Sequence, residues 1–223
     1  MPQNKPLYIA FEGGEGSGKT TQAGMLAGRI GSSAVLTHEP GNTAIGQELR
    51  RILLDPNAGA IDPMAEAYLM AADRAQHMKE VIKPNLKAGR HVISDRTFVS
   101  SIAYQGAGRN LGEDELLKLN LINPGLIMPD ALLLFEPPSP KEQARRFSKM
   151  GKTLDRFEKA EDDFHKRVAV SFSQMANFLA NNSPTAGIHV VTIAQAPTPE
   201  EVHSNVCNAL REFCQQRRFV SPV

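Results

Sequence analysis

Five short, mostly apolar runs punctuate the chain, at 7–11, 34–36, 91–93, 131–135 and 189–193. A run without polar alternation is a strand covered on both faces, as in a parallel sheet. Between the runs, apolar residues recur at helical spacing through 20–30, 45–54, 63–86, 113–122, 163–180 and 199–217. Alternating strands and helices predict a three-layer α/β fold: a parallel five-stranded sheet with helices on both faces and right-handed crossovers. No repeat or low-complexity linker interrupts the pattern, so the 223 residues read as one domain, 1–223. The stretch 137–159 is irregular and carries seven Lys or Arg among prolines and a glycine. It reads either as a solvated helix with a turn or as a basic lid, placed at about 148–157.

Charge narrows the choice of partner. Lys and Arg number 25 against 24 Asp and Glu, a net charge of +1, with no long run of one sign. That balance creates no strong field for a polyanion, so nucleic acid is not expected as a partner. The only cysteines, Cys207 and Cys214, fall seven apart in one predicted helix, about 10 Å along its axis and too far for a disulfide. The start of the chain lacks a signal-peptide pattern and no segment has a membrane-length apolar run, so a cytoplasmic protein without membrane contact is expected.

Directly after the first predicted strand stands Gly13-Gly14-Glu15-Gly16-Ser17-Gly18-Lys19-Thr20, followed by Thr21. It fits G-x-x-x-x-G-K-[ST] in the strand-to-helix setting that a P-loop requires. Glycines let the backbone wrap closely, so N–H groups point at phosphate oxygens beside the positive end of the next helix. Lys19 is expected to reach the β- and γ-phosphates of ATP and Thr20 to ligate Mg²⁺. Asp95 closes the run that starts at His91. A carboxylate at such a strand end lies beside the first strand's loop, where it can hold Mg²⁺, or cap the helix that starts near Thr97, or both. The D-x-x-G and N-K-x-D motifs of GTPases and the L-S-G-G-Q of transporter ATPases are absent. Small-molecule kinases remain, in which a basic lid closes over the phosphates.

The run Asp95-Arg96-Thr97-Phe98-Val99-Ser100-Ser101-Ile102-Ala103-Tyr104-Gln105 is similar to the D-R-(aromatic)-x-x-S-x-x-A-Y-Q signature of the thymidylate kinase family. Phe11-Glu12-Gly13, Glu39-Pro40-Gly41, Ala72-Asp73-Arg74-Ala75-Gln76-His77 and Leu154-Asp155-Arg156-Phe157-Glu158 extend the resemblance over nearly the whole chain, in the family's order. The resemblance implies transfer of a phosphoryl group from ATP to dTMP, with Mg²⁺, in a homodimer. By the same resemblance Arg96 holds the acceptor phosphate, Arg74 donates to O4 of thymine, and Glu15 accepts from the sugar 3′-OH. Tyr104 crowds the 2′ position, and Ser101, Gln105 and Asp155 complete the acceptor site. Two alternatives stay open from the residues: a kinase for another nucleotide or nucleoside, and a non-catalytic P-loop nucleotide-binding protein. Intact Lys19, Thr20, Asp95 and Arg96 speak against the second.

Several positions depart from the family pattern. Thr97 stands where an aromatic is usual, His38 where arginine precedes Glu-Pro-Gly, Asn42 where a second glycine is common, and Met70 where a phenylalanine stacks on thymine. No arginine lies between Gly13 and Gly18, which resembles the bacterial subgroup whose catalytic cations come from the lid; here the lid offers Arg146, Lys149 and Lys152. Lys149 and Lys152 are expected to join Lys19 and Arg96 in catalysis. Ala194-Gln195-Ala196 falls where the family packs a loop against adenine, without the usual aspartate.

Overall fold

The computed structural model describes residues 5–57, 59–150 and 155–223, apart from the side chains of Phe147, Lys149 and Met150. Strands β1 (Tyr8–Glu12), β2 (Ala34–His38), β3 (His91–Asp95), β4 (Ala131–Phe135) and β5 (His189–Ile193) form one parallel sheet in the order β2-β3-β1-β4-β5. All five apolar runs are strands. β2 and β3 extend two residues past their apolar runs because Thr37 and His38 pair in register with Ser94 and Asp95. The ladder is made by backbone, so polar residues can finish a strand where the sheet meets its ligand.

β1 is central and wholly buried. Its alternate residues face opposite layers, as the pleat requires. Ile9 and Phe11 join Leu26 of α1 (Lys19–Ile30) and Val206 and Leu210 of α9 (Pro199–Arg217). Ala10 joins the layer containing Phe98, Ile102, Met175 and Leu179. Each large side chain so buried contributes about 1.5–3 kcal/mol. After β1 the chain builds β2 and β3 on one side and later β4 and β5 on the other. The β1 loop therefore lies at the switch point, where open parallel sheets bind ligands.

The remaining helices are α2 (Ala44–Leu54), α3 (Pro63–His77), α4 (Lys83–Lys87), α5 (Phe98–Ser101), α6 (Glu113–Leu121), α7 (Pro140–Met150) and α8 (Asp162–Asn181). The helix expected over 63–86 is helical throughout, but a π-helical turn at Met78–Ile82 joins α3 to α4. Pro84 has no N–H and its ring would crowd the carbonyl four residues back, so the turn widens there. The Asn85 side chain donates to the Val81 carbonyl at 2.7 Å. α5 and the π-helical segment Ile102–Gly108 had no clear periodic trace in the sequence, because Phe98, Val99, Ser101, Ile102, Ala103, Tyr104 and Gln105 are all buried. A Cβ on Gly108 would stand 2.6 Å from the Phe164 ring, so glycine permits α8 to pack closely on this segment. Of the charged stretch, 140–150 is α7, a helix.

Candidate active site

Several helices bring their own N-terminal cap. Thr43 accepts from Gly46 N ahead of α2, Asp62 from Met64 N and Ala65 N ahead of α3, and Thr198 forms a capping box with Glu201 ahead of α9. α1 has none: its N-cap is Gly18, at φ 91°, with no side-chain hydrogen bond. The amides of its first turn are left for an anion. Gly13 sits at φ 139°, and a Cβ there would meet the Phe135 carbonyl oxygen at 2.8 Å, so the loop can pass β4 only as glycine. Ser17 Oγ is buried without a partner among the described residues. Lys19 folds back so that Nζ donates to Gly14 O at 3.1 Å. Burial, and Arg96 next to it, lower the Lys19 amine to about 8 against the pull of Asp95, Glu12 and Glu15.

Thr20 Oγ1 donates to Asp95 Oδ2 at 2.5 Å, while Asp95 Oδ1 is buried without a partner among the described residues. A hydroxyl and a carboxylate with a spare oxygen fit Mg²⁺, which keeps several waters and shares its shell with phosphates. Among the described residues no group of three or more His, Cys, Asp or Glu could cage a metal, so the fit is to a cation held partly by its nucleotide. The helix cap that Asp95 could have supplied falls to Thr97, whose side chain accepts from Val99 N.

A cavity of about 610 Å³ runs from the P-loop across the sheet edge. Glu15, Gly16, Gly18, Lys19, Thr20 and Thr21 line one end, while Gly13, Gly14 and Ser17 are not part of the lining. Asp95 and Arg96 line its middle, and Met70, Arg74, Ser101, Tyr104, Gln105 and Asp155 its far side. Arg96 takes φ 77°, rare for a side chain bearing a Cβ. Its backbone is pinned there, N donating to Phe11 O at 2.9 Å and O accepting from Ser94 Oγ at 2.8 Å. Its guanidinium donates to Ser100 Oγ at 3.1 Å and lies 5.0 Å from the Tyr104 ring centroid. Burial opposes that charge, but Tyr104, Asp95, Glu12 and Glu15 outweigh it and raise the Arg96 pKa. Burial raises Tyr104 to about 12 and raises Glu15 above the ordinary carboxylate range, the latter with help from Asp155 and Glu158.

Arg74 is nearly enclosed. Nε donates to Glu39 Oε2 at 2.8 Å, Nη2 to Thr97 O at 3.2 Å and Ser101 Oγ at 3.0 Å, and Nη1 to Asn120 Oδ1. Among the described residues four of the five N–H groups of this guanidinium are thus engaged, leaving one on Nη1. Glu39 is held in turn by His77 Nδ1 at 2.9 Å, and His77 Nε2 lies 2.6 Å from Thr37 Oγ1. Burial works against the Glu39 charge, but Arg74 and His77 hold its carboxyl below the usual range. Burial and Glu39 push neighbouring Asp73 up to about 6.

α7 reaches the P-loop from the other side. Arg146 Nη1 donates to Gly16 O at 2.7 Å, Nη2 to Gln195 Oε1 at 3.1 Å, and Gln143 Nε2 to Glu15 O at 3.0 Å. Gln195 Nε2 donates to Ser17 O and Glu136 O, which ties the loop after β5 to the same place. Lys149 belongs to α7, but its side chain and all of Lys152 lie outside the described residues.

Known proteins make the affiliation plain. The family profile described as "Thymidylate kinase" matches residues 11–206. The chain belongs to the thymidylate kinase family. It is 40% identical over 216 residues to a thymidylate kinase of Cereibacter sphaeroides, covering 94% of this chain and 96% of that one. A thymidylate kinase of Rhizorhabdus wittichii is 38% identical over 209 residues, covering 92% and 97%. The crystal structure of thymidylate kinase from Ehrlichia chaffeensis superposes with a TM-score of 0.71 at 29% identity, covering 93% of this chain and 99% of that one.

For a thymidylate kinase the unusual residues now have local roles. Thr97 caps α5 and donates to Glu12 Oε1 at 2.9 Å. Asn42 donates to Thr37 Oγ1 at 2.6 Å, so the threonine proton is free to point at His77 Nε2. Met70 packs partly buried against the core while lining the cavity beside Arg74. Burial and then Arg50 lower the pKa of His38, which lines the same cavity.

Sequence reasoning assigned no role to Glu12, Glu39, His77 or Asn120. Glu12 accepts from Thr97 N, Thr97 Oγ1, Ser100 N and Ser100 Oγ, and so fastens α5 to the end of β1. An acid closing an apolar strand run was the available sign. Glu39 and His77 stand in blocks that carry the family resemblance, but nothing in spacing says that they meet. Asn120, in the last turn of α6, had no sign at all.

Proposed function

We propose that the protein transfers the γ-phosphoryl group of ATP to dTMP, giving ADP and dTDP, and that the chain acts as a single kinase domain. One observation carries this reading: a continuous cavity joins Lys19 and the uncapped end of α1 to Arg96 and then to the single spare N–H of Arg74. Two cations suited to phosphate and a lone donor on one cavity wall suit a nucleoside triphosphate facing a nucleotide whose base offers an acceptor.

Two polyanions must approach, so the chain's main contribution is charge and alignment. Lys19 binds the β- and γ-phosphates, and Arg96, with its planar fork, holds the acceptor phosphate. That phosphate is already ionised near pH 7, its second pKa being about 6, so no residue need act as a strong base. Its oxygen attacks the γ-phosphorus in line, and the β-phosphate leaves as ADP. Thr20 and Asp95 would hold Mg²⁺, which supplies charge neutralisation when bound. Glu15 accepts from the 3′-OH, Tyr104 crowds the 2′ position, and Met70 lies against the base. Ser101, Gln105 and Asp155 shape the rest of the acceptor pocket. Lys149 and Lys152 belong to the same reading as lid cations; Arg146, already on Gly16 O, is the one whose approach to the P-loop is described.

The decisive experiment is coupled ADP release with dTMP, dUMP, UMP, CMP, GMP, AMP and thymidine as acceptors. dTMP should be the best; another best substrate would overturn the specificity and leave the fold untouched. A homodimer is part of the same reading, supported by exposed Ile45 and Ile52 on α2 and Met64 and Tyr68 on α3, two helices in contact. Sedimentation at assay concentration tests it. A cytoplasmic setting is also proposed; among the described residues no helix is long and apolar enough to cross a membrane.

A further inference from the structure

Apart from the groups that face phosphate or base, one wholly buried carboxylate gathers two guanidinium groups. Glu66, in the first turn of α3, is 0% exposed. It forms an ion pair with Arg156 Nη1 at 2.7 Å, and accepts from Arg109 Nε at 3.2 and 3.3 Å and from Gln105 Nε2 at 2.8 Å. Arg156 Nε also donates to Leu53 O, in the last turn of α2, at 2.9 Å. The two guanidiniums then meet one ring: Arg156 lies 4.7 Å and Arg109 5.7 Å from the Phe157 centroid. Phe157 stands edge-on to Tyr104 at 5.9 Å, and Tyr104 lies against Arg96. On either side of Phe157, Asp155 and Glu158 line the cavity, and Asp155 Oδ1 accepts from the N–H of Phe157 and of Glu158, both at 2.9 Å.

We propose that Glu66 is a positioning residue for the acceptor site: by holding Arg156 and Arg109 about Phe157 it sets where residues 155–158 and Tyr104 stand against the sugar. The proposal rests on the reading of this cavity as the dTMP site. Its physical basis is charge. One buried carboxylate reconciles two like charges that share a ring, and without it they repel in a medium that screens poorly. Neither arginine can then keep its place, and the ring between them loses the contacts that orient it toward Tyr104. Glu66 itself is absent from the cavity wall, so its influence on substrate passes through these neighbours.

Glu66→Gln keeps the shape and removes the charge. The expected result is a KM for dTMP raised about tenfold or more, with a much smaller change in kcat and in the KM for ATP. Discrimination against the 2′-hydroxyl counterpart of dTMP should fall with it, since the Tyr104 wall loosens. Amide hydrogen exchange at Phe157 and Glu158 should quicken by about tenfold while β1 and β4 stay protected. Arg156→Met approaches the same pair from the other side and should give the same pattern, which serves if Glu66→Gln does not fold. Unchanged exchange at 157–158 with an unchanged KM for dTMP overturns the proposal, and so does a uniform loss of protection with both KM values moving together. Should the wild-type enzyme fail to phosphorylate dTMP, the functional reading falls, and the exchange measurement still decides whether Glu66 holds the segment.

Discussion

At the Lys19 end of the cavity the groups left for the ligand belong mainly to the backbone of one loop and one helix turn. At the Arg74 end they are side chains brought together from β2, α3, α5 and α6. The first end needs glycines, and a helix without a cap; its chemistry is continuous in sequence from Gly13 to Thr20. The second needs charges taken out of water and satisfied. Glu39, Arg74 and His77 are each less than 5% exposed, and a charge so enclosed is tolerable only while its partners stay in place. The difference implies different weaknesses. Damage to the P-loop should spare the fold and stop the chemistry, whereas damage beneath Arg74 should reach stability before it reaches turnover.

The largest expected effect tests the buried end. Glu39→Ala strips Arg74 and His77 of their shared acceptor and should cost about 3–5 kcal/mol of folding stability, as breaking a buried pair does, measured by urea unfolding at pH 7. The folded pKa of Glu39 is depressed, so its contribution is present above the ordinary carboxylate range and is lost as pH falls through the folded value. The gap between variant and wild type should therefore narrow in acid. A loss below about 1 kcal/mol at pH 7 would mean the network adds little.

Lys19→Ala comes next, with kcat down at least a hundredfold, about 2.7 kcal/mol on the barrier, and unfolding by urea little changed. Near-normal kcat in a folded variant would remove Lys19 from the mechanism. If stability instead fell as far as in Glu39→Ala, the contrast between the two ends would be lost.

A pH series gives a smaller effect at the same lysine. Burial lowers the Lys19 amine to about 8, and ATP selects its protonated form. Calorimetric affinity for ATP should weaken as pH rises past about 8, by about tenfold for each further unit at most. Lys19→Arg, which does not titrate there, should flatten the curve even if it binds less tightly. A flat wild-type curve between pH 7.5 and about 9.5 would place the Lys19 amine well above the value its burial gives.

The smallest effect concerns Met70. A sulfur contact with a ring contributes about 0.3–1.5 kcal/mol and an aromatic pair about 0.5–1.5 kcal/mol. Met70→Phe should thus change the KM for dTMP by less than about tenfold, and lower it, while Arg74→Ala costs more. The reverse ranking, in folded variants assayed side by side, would make residue 70 a packing residue and move the base elsewhere.

Legibility followed the same division. The strands were readable because burial on both faces leaves unbroken apolar runs, and the P-loop because its parts are adjacent. The π-helical segment at 102–108 was missed because a helix buried all round has no polar face to give it a period. The helix expected over 63–86 was foreseen as regular, and Pro84 made it otherwise.

By itself the sequence determined the sheet, its polarity of connection, the phosphate loop and the family blocks. Local rules suffice there: pleat and helix periods, glycine's tolerance of positive φ, and the fixed reach of a strand-loop-helix unit. Only the tertiary structure decided that Glu39 spans Arg74 and His77, that Asn120 reaches Arg74 from α6, that Thr97 donates to Glu12, and that Glu66 gathers two arginines around Phe157. These partners lie tens of residues apart in the chain and meet only when helices pack on the sheet edge. A buried charge accepts any satisfactory partner that packing delivers, and spacing along a chain does not say which one that is.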